Sequence, residues 1–136
     1  MDRQQERRQD HFNKAYLGVI AQGGPSKREF MSGETCAYLG NNGRKCAVGH
    51  ILTEDELKVM GAFCGSVIDL WDEFFRDYDH PFSQDATFYE DMQDAHDEFF
   101  EYDEEEFVHR FKVKMMAIAL EYNLQLPKVP DETTTA

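Results

Sequence analysis

One stretch constrains this chain more than any other. Residues 54–106 hold 19 acidic side chains against only Lys58 and Arg76, a net of −17, and the same stretch carries eleven aromatic rings. Like charges at that density favour an extended, solvated chain. Aromatics running from Phe63 and Trp71 to Phe100 and Tyr102 demand the opposite, because a ring leaves water only if a core forms around it. Both demands are met only when the stretch folds with its rings inward and its carboxylates outward. The flanks are different: residues 1–53 sum to +3 and residues 107–136 to +1, so the middle sets the overall charge of −13. With 136 residues, 41% of them hydrophobic, the chain supplies one modest core, expected as a single globular domain over 1–126 with a mobile polar tail over 127–136.

That charge excludes partners as well as folds. A surface at −13 is repelled by nucleic acid and by anionic membranes, so neither is expected as a direct partner. No apolar run approaches 18 residues, and Met1-Asp2-Arg3-Gln4-Gln5-Glu6-Arg7-Arg8 lacks the apolar stretch of a signal peptide. Three cysteines, an odd number, suit a reducing cytoplasm better than a secreted disulfide framework. Self-association into a homo-oligomer is compatible with this composition.

Periodicity predicts helices with one hairpin. Phe12, Tyr16, Val19 and Ile20 recur at helical spacing over about 2–22, and Gly23-Gly24-Pro25 stops that helix. Two short apolar runs, 35–40 and 44–52, surround Asn41-Asn42-Gly43, which predicts a β-hairpin. A three-residue loop there sets Cys36, Tyr38, Cys46 and Val48 on one face; a two-residue loop sets Leu39 opposite Cys46 and separates the cysteines. Thr53-Glu54-Asp55-Glu56 is a capping-box pattern opening a short helix ahead of Gly61, and Ser66 with Asp69 caps the next segment, to about Tyr78. Further helices are predicted over about 84–100, with Phe88, Met92, Ala95 and Phe99 inward, and 104–122, with Phe107, Phe111, Met115, Ile118 and Tyr122 inward and Asn123-Leu124 as its C-terminal cap. The expected class is α+β, mostly α, with a small hairpin packed on four to five helices.

The first candidate site is acidic. Glu90, Asp94, Asp97 and Glu101 fall at steps of four, three and four on one helical face, with Asp91 and Glu98 flanking them. Each like-charged pair at that spacing costs a helix a few tenths of a kcal/mol. No lysine or arginine interrupts the chain between Arg76 and Arg110. Asp69, Asp72 and Glu73 form a second row, extended by Asp77 and Asp79. Such a face fits a basic partner, with carboxylates standing where phosphates bind; the alternative is a solvated face that keeps the chain soluble.

The second candidate joins cysteine and histidine. Cys46 beside Lys45, with His96 as base and Asp97 or Asp94 orienting it, has the composition of a nucleophilic site, and His50 is close in sequence. The competing role for Cys36, Cys46 and His96 is packing. Cys36, Cys46, His50 and Cys64 match no zinc-knuckle spacing, and Glu106-x-x-His109 is the lone Glu-x-x-His motif where a di-iron bundle needs two. No metal and no cofactor are therefore expected, and the chain reads as a binding protein more than an enzyme.

The string Cys36-x-Tyr38-x-Gly40-x-x-Gly43-x-Lys45-Cys46-Ala47-x-Gly49-x-Ile51-Leu52, followed by Met92-Gln93-Asp94-Ala95-His96-Asp97 and a final helix ending near Asn123-Leu124, resembles small proteins of bacteriophages and prophage-bearing bacteria. The similarity runs from about Phe12 to Leu124; Asn41-Asn42 and the heavy acidity depart from that group's pattern. It implies a phage or prophage origin and action in a host cytoplasm, and it transfers no catalytic role. Joined to the charge pattern, it yields the expectation of an intracellular effector binding a basic host protein: a nuclease, a defence complex or a polymerase. A small Cys/His enzyme centred on 36–50 and a structural or virion accessory protein are the alternatives.

Overall fold

The computed structural model describes residues 2–30, 33–40, 43–60, 66–76 and 80–129. Helix α1, Arg3–Gln22, begins where the Asp2 carboxylate accepts the Gln5 N–H at 2.7 Å. It ends at Gly23, whose φ of 77° only glycine adopts without strain and whose N–H caps the Ile20 and Val19 carbonyls. Its inward stripe is Phe12, Ala15, Tyr16 and Val19. Helix α2, Glu54–Met60, opens on the predicted capping box, with Glu56 N–H on Thr53 Oγ1 at 3.1 Å and Thr53 N–H on Glu56 Oε1 at 2.8 Å. Ser66 caps α3, Val67–Leu70, which widens into a π-helical turn over Trp71–Phe75.

Helix α4, Pro81–Gln84, leads into α5, Ala86–Asp97; α6, Glu104–Glu121, follows, capped by Asp103 on the Glu106 N–H. Asn123 closes α6 in the left-handed region at φ 57°, and the Leu124 N–H reaches the Ala119 carbonyl at 2.8 Å. Helices α5 and α6 run antiparallel, tied by Lys114–Glu98 at 3.3 Å near one end and Tyr122 Oη–Asp91 at 3.0 Å near the other. Phe88, Tyr89 and Met92 of α5 meet Phe107, Phe111 and Met115 of α6 and the α1 stripe in one core. Full burial of each such side chain contributes about 1.5–3 kcal/mol. At the α1–α5 junction Arg8 grips Asp85 with two hydrogen bonds, 2.7 and 2.8 Å, and lies over the Tyr122 ring at 5.0 Å.

The structure corrects the expected α+β class: this is a mostly helical fold, and the hairpin predicted over 35–52 is not formed. Between 37 and 50 the described backbone makes one isolated bridge, Leu39 with Lys45, and then a 3₁₀ turn, Val48–His50. Thr35 and Cys36 pair upstream instead, in a four-residue ribbon of β1 (Lys27–Phe30) antiparallel to β2 (Gly33–Cys36). The physical reason is that backbone bonds across the turn stop at Gly40–Arg44 and Tyr38–Cys46, while Gln22 of α1 takes both backbone groups of Lys45 and Gln93 of α5 takes the Val48 N–H, so no continuous ladder forms. Helix α5 is also shorter than its pattern suggests, so Glu98 and Glu101 lie on the turn after it. Asn41-Asn42, Cys64, Asp77, Asp79, the Cys36 side chain and the tail from residue 130 fall outside the described residues, while Val129 packs into the core. Among the described residues no helix is long and apolar enough to cross a membrane.

Candidate functional site

The cysteine–histidine candidates do converge, around a buried polar cluster. His96, fully buried on α5, accepts the Ser26 N–H on Nε2 at 2.9 Å. The ring proton therefore sits on Nδ1, which donates to Asp97 Oδ1 at 2.8 Å. The same Asp97 oxygen accepts from Gln93 Nε2 at 2.9 Å, and Gln93 Oε1 in turn accepts the Val48 N–H at 3.2 Å. Ser26 Oγ closes the circuit by donating to the Arg44 carbonyl at 2.9 Å. Cys46 Sγ accepts the Gly49 N–H at 3.3 Å.

This geometry makes Cys46 a poor nucleophile. It is fully buried, and desolvation, reinforced by the negative charge of Asp97, pushes its thiol far above the ordinary range. Lys45, expected to acidify it, pairs with Glu54 at 2.9 Å. The Nε2 lone pair of His96 that a base needs is occupied by the Ser26 amide. Asp94, the other proposed orienting group, is exposed, and the His96 proton goes to Asp97. His50 borders the cluster: its Nε2 donates to Gln22 Oε1 at 3.0 Å, and burial holds its pKa down to about 4. What the arrangement does chemically is satisfy buried amides, and each unmade bond there would cost about 1–3 kcal/mol.

The residues that complete this lock are ones sequence reasoning passed over. Gln22, at the last turn of α1, holds both backbone groups of Lys45: its Oε1 accepts the N–H at 3.0 Å and its Nε2 donates to the C=O at 2.7 Å. Gly49 is required because a Cβ there would stand 2.2 Å from the Tyr38 carbonyl oxygen. Gln93 had a signal, four residues before Asp97 on one helical face; Gln22 and Ser26 had none, lying far along the chain from their partners.

The acidic candidates separate into two groups. Asp69, Asp72, Glu73, Asp94, Glu98 and Glu101 are exposed. Glu90, Asp91 and Asp97 are partly buried and committed: Glu90 Oε1 lies 3.4 Å from the Ile68 N–H, Asp91 accepts from Tyr122, and Asp97 belongs to the lock. Helix α3 packs against α5, with the Ile68 N–H at Glu90, while the charges that act on Asp94 come from α5 and the turn after it and not from Asp69, Asp72 or Glu73. Asp94 reports the crowding: partial burial and then the charges of Asp97, Glu90, Asp91 and Glu98 raise its carboxyl above the ordinary value. Among the described residues no group of three metal-ligating side chains comes together. No family model, curated protein or solved structure matches this chain.

Proposed function

We propose that this chain is an intracellular binding protein whose exposed carboxylates on the α3–α5 face occupy the basic, nucleic-acid-binding surface of a second protein. The observation that carries the reading is the crowding at Asp94, where partial burial and then the charges of Asp97, Glu90, Asp91 and Glu98 raise its carboxyl above the ordinary value. A basic partner relieves that repulsion on binding, and the field draws it in quickly and in a salt-dependent way. Carboxylates four residues apart on α5 fall about 6 Å apart along its axis, wider than the ~3.4 Å of rise per phosphate in one DNA strand. The resemblance to small phage proteins supports a host nuclease, defence complex or polymerase as the target, met in the host cytoplasm.

Capture on the immobilised chain from bacterial lysate, at about 0.05 M and about 0.5 M salt, tests this. Basic nucleic-acid-binding proteins should bind at low salt and leave at high salt. A variant carrying Asp94→Lys, Glu98→Lys and Glu101→Lys should keep its circular-dichroism spectrum and capture none of them. Asp97 is left intact because it serves the lock. Capture of the same set by the reversed variant contradicts the proposal, and an empty capture by the native chain favours an accessory or solubilising role for the face.

A further inference from the structure

A hollow of about 300 Å³ opens between α2, the π-helical turn and His80, and none of its lining residues belongs to either site above. Its walls are mostly apolar, from Val59 on α2, which is 66% exposed, and from Phe74 and Phe75. His80 stacks flat on Phe75, with ring centroids 4.5 Å and planes 8° apart, and Phe74 tilts at 53° to the same ring. Glu56 fixes the imidazole: its Oε2 bonds His80 Nε2 at 3.0 Å while its Oε1 takes the Thr53 N–H. That leaves Asp55 as the exposed carboxylate of the lining, with no partner among the described residues. We propose that this hollow is a binding site for a small aromatic amine, whose ring packs on Val59, Phe74 and the Phe75–His80 pair and whose ammonium group meets Asp55.

Size, wall chemistry and charge together select that ligand. The volume lies at the small end of ligand cavities, which leaves room for one ring and a short chain. Aromatic walls reward a flat apolar group through stacked and edge contacts. Charge sets the head group. Asp55 and Glu56 stand at the hollow within a stretch of net −17, so the field there concentrates cations and repels anions. Lys58 and Arg76, the two cations of that stretch, do not line the hollow: Lys58 acts on Glu54, and Arg76 pairs with Asp72 at 3.5 Å. The π-helical turn is a separate pointer. It supplies both Phe74 and Phe75 to the lining, and such widened turns recur at functional sites. The inference does not rest on the acidic face, because Asp55 lies on α2.

Titration of the full chain with phenylethylamine, followed by amide chemical shifts, tests this. Amides of α2 and of Trp71–Phe75 should shift with a Kd on the order of 1 mM, as expected for so small a ligand. Phenylethanol, matched in size and uncharged, should bind about threefold more weakly, and phenylpropionate should not saturate. Asp55→Asn should bring the amine down to the affinity of the alcohol. Val59→Lys, at an exposed position, should abolish amine binding with an unchanged circular-dichroism spectrum. Glu121→Gln, which removes one negative charge elsewhere on the surface, should leave the amine constant as it is. An absence of shifts up to about 10 mM amine, shifts confined to α5, or equal affinities of the amine for the native and Asp55→Asn chains overturn the proposal.

Discussion

Replacing Gly49 by alanine should cost about 3 kcal/mol or more, enough to lower the melting temperature by roughly 10 °C in a chain of this size. The added methyl would stand 2.2 Å from the Tyr38 carbonyl oxygen, 3.1 Å from Lys45 Cβ and 3.2 Å from the Tyr38 carbonyl carbon. The nearest of these is backbone, held where the Cys46 N–H reaches the same Tyr38 oxygen at 3.4 Å, so it cannot swing aside as a side-chain tip would. Gly43 is the control. It lies in the same motif at φ 79° with open space around its Cβ position, so Gly43→Ala brings only backbone strain, about 1 kcal/mol. Thermal melts of the two variants should rank Gly49→Ala far below Gly43→Ala. Equal melting temperatures would mean that the motif glycines serve turn geometry alone and that the close approach to Tyr38 is not a constraint.

Replacing His96 by alanine should cost about 3–4 kcal/mol. The change deletes the acceptor of the buried Ser26 amide and the donor to Asp97, and it opens a void beside Phe107, whose ring centroid lies 5.3 Å from the imidazole. The loss should register as stability, by urea titration, with the denaturant slope unchanged. It should leave capture of basic partners intact below the new melting point. A His96→Ala protein as stable as the native chain but without its function would restore the catalytic reading of Cys46, His96 and Asp97.

The sequence made legible whatever its local chemistry decides. Asp2, Thr53 with Glu56, Ser66, Asp103 and Asn123 bound helices because capping bonds span only a few residues. The stripes of α1 and α6 followed from spacing alone. The hairpin failed for the complementary reason. Asn-Gly turn chemistry is local, but what fixes residues 44–48 is Gln22, Gln93 and Ser26, the first two lying 23 and 45 residues from the amides they hold. No short-range pattern encodes those bonds. The nucleophilic reading grouped Cys46, His96 and Asp97 by residue type alone, which carries no information on burial or on the Ser26 amide that occupies the histidine nitrogen.

The acidic face was legible as a charge pattern and only partly as a surface. Helical steps put Asp97 in line with Asp94 and Glu101, but the inward turn of α5 commits Asp97 to His96 and Gln93, and the helix ends before Glu98. What stays exposed is a set of carboxylates on α3, the π-helical turn, α5 and the turn after it, with Asp72 paired to Arg76 and Glu98 to Lys114, rather than one unbroken helical stripe.

The central claim, that this patch takes the place of a nucleic-acid backbone, is tested most directly by competition. Proteins captured on the immobilised chain are challenged with short duplex DNA at constant ionic strength. The account predicts that DNA releases them, as they exchange one array of negative charge for another. Captured proteins that stay bound under saturating DNA would contradict it, because their contact would then lie elsewhere than on a nucleic-acid-binding surface.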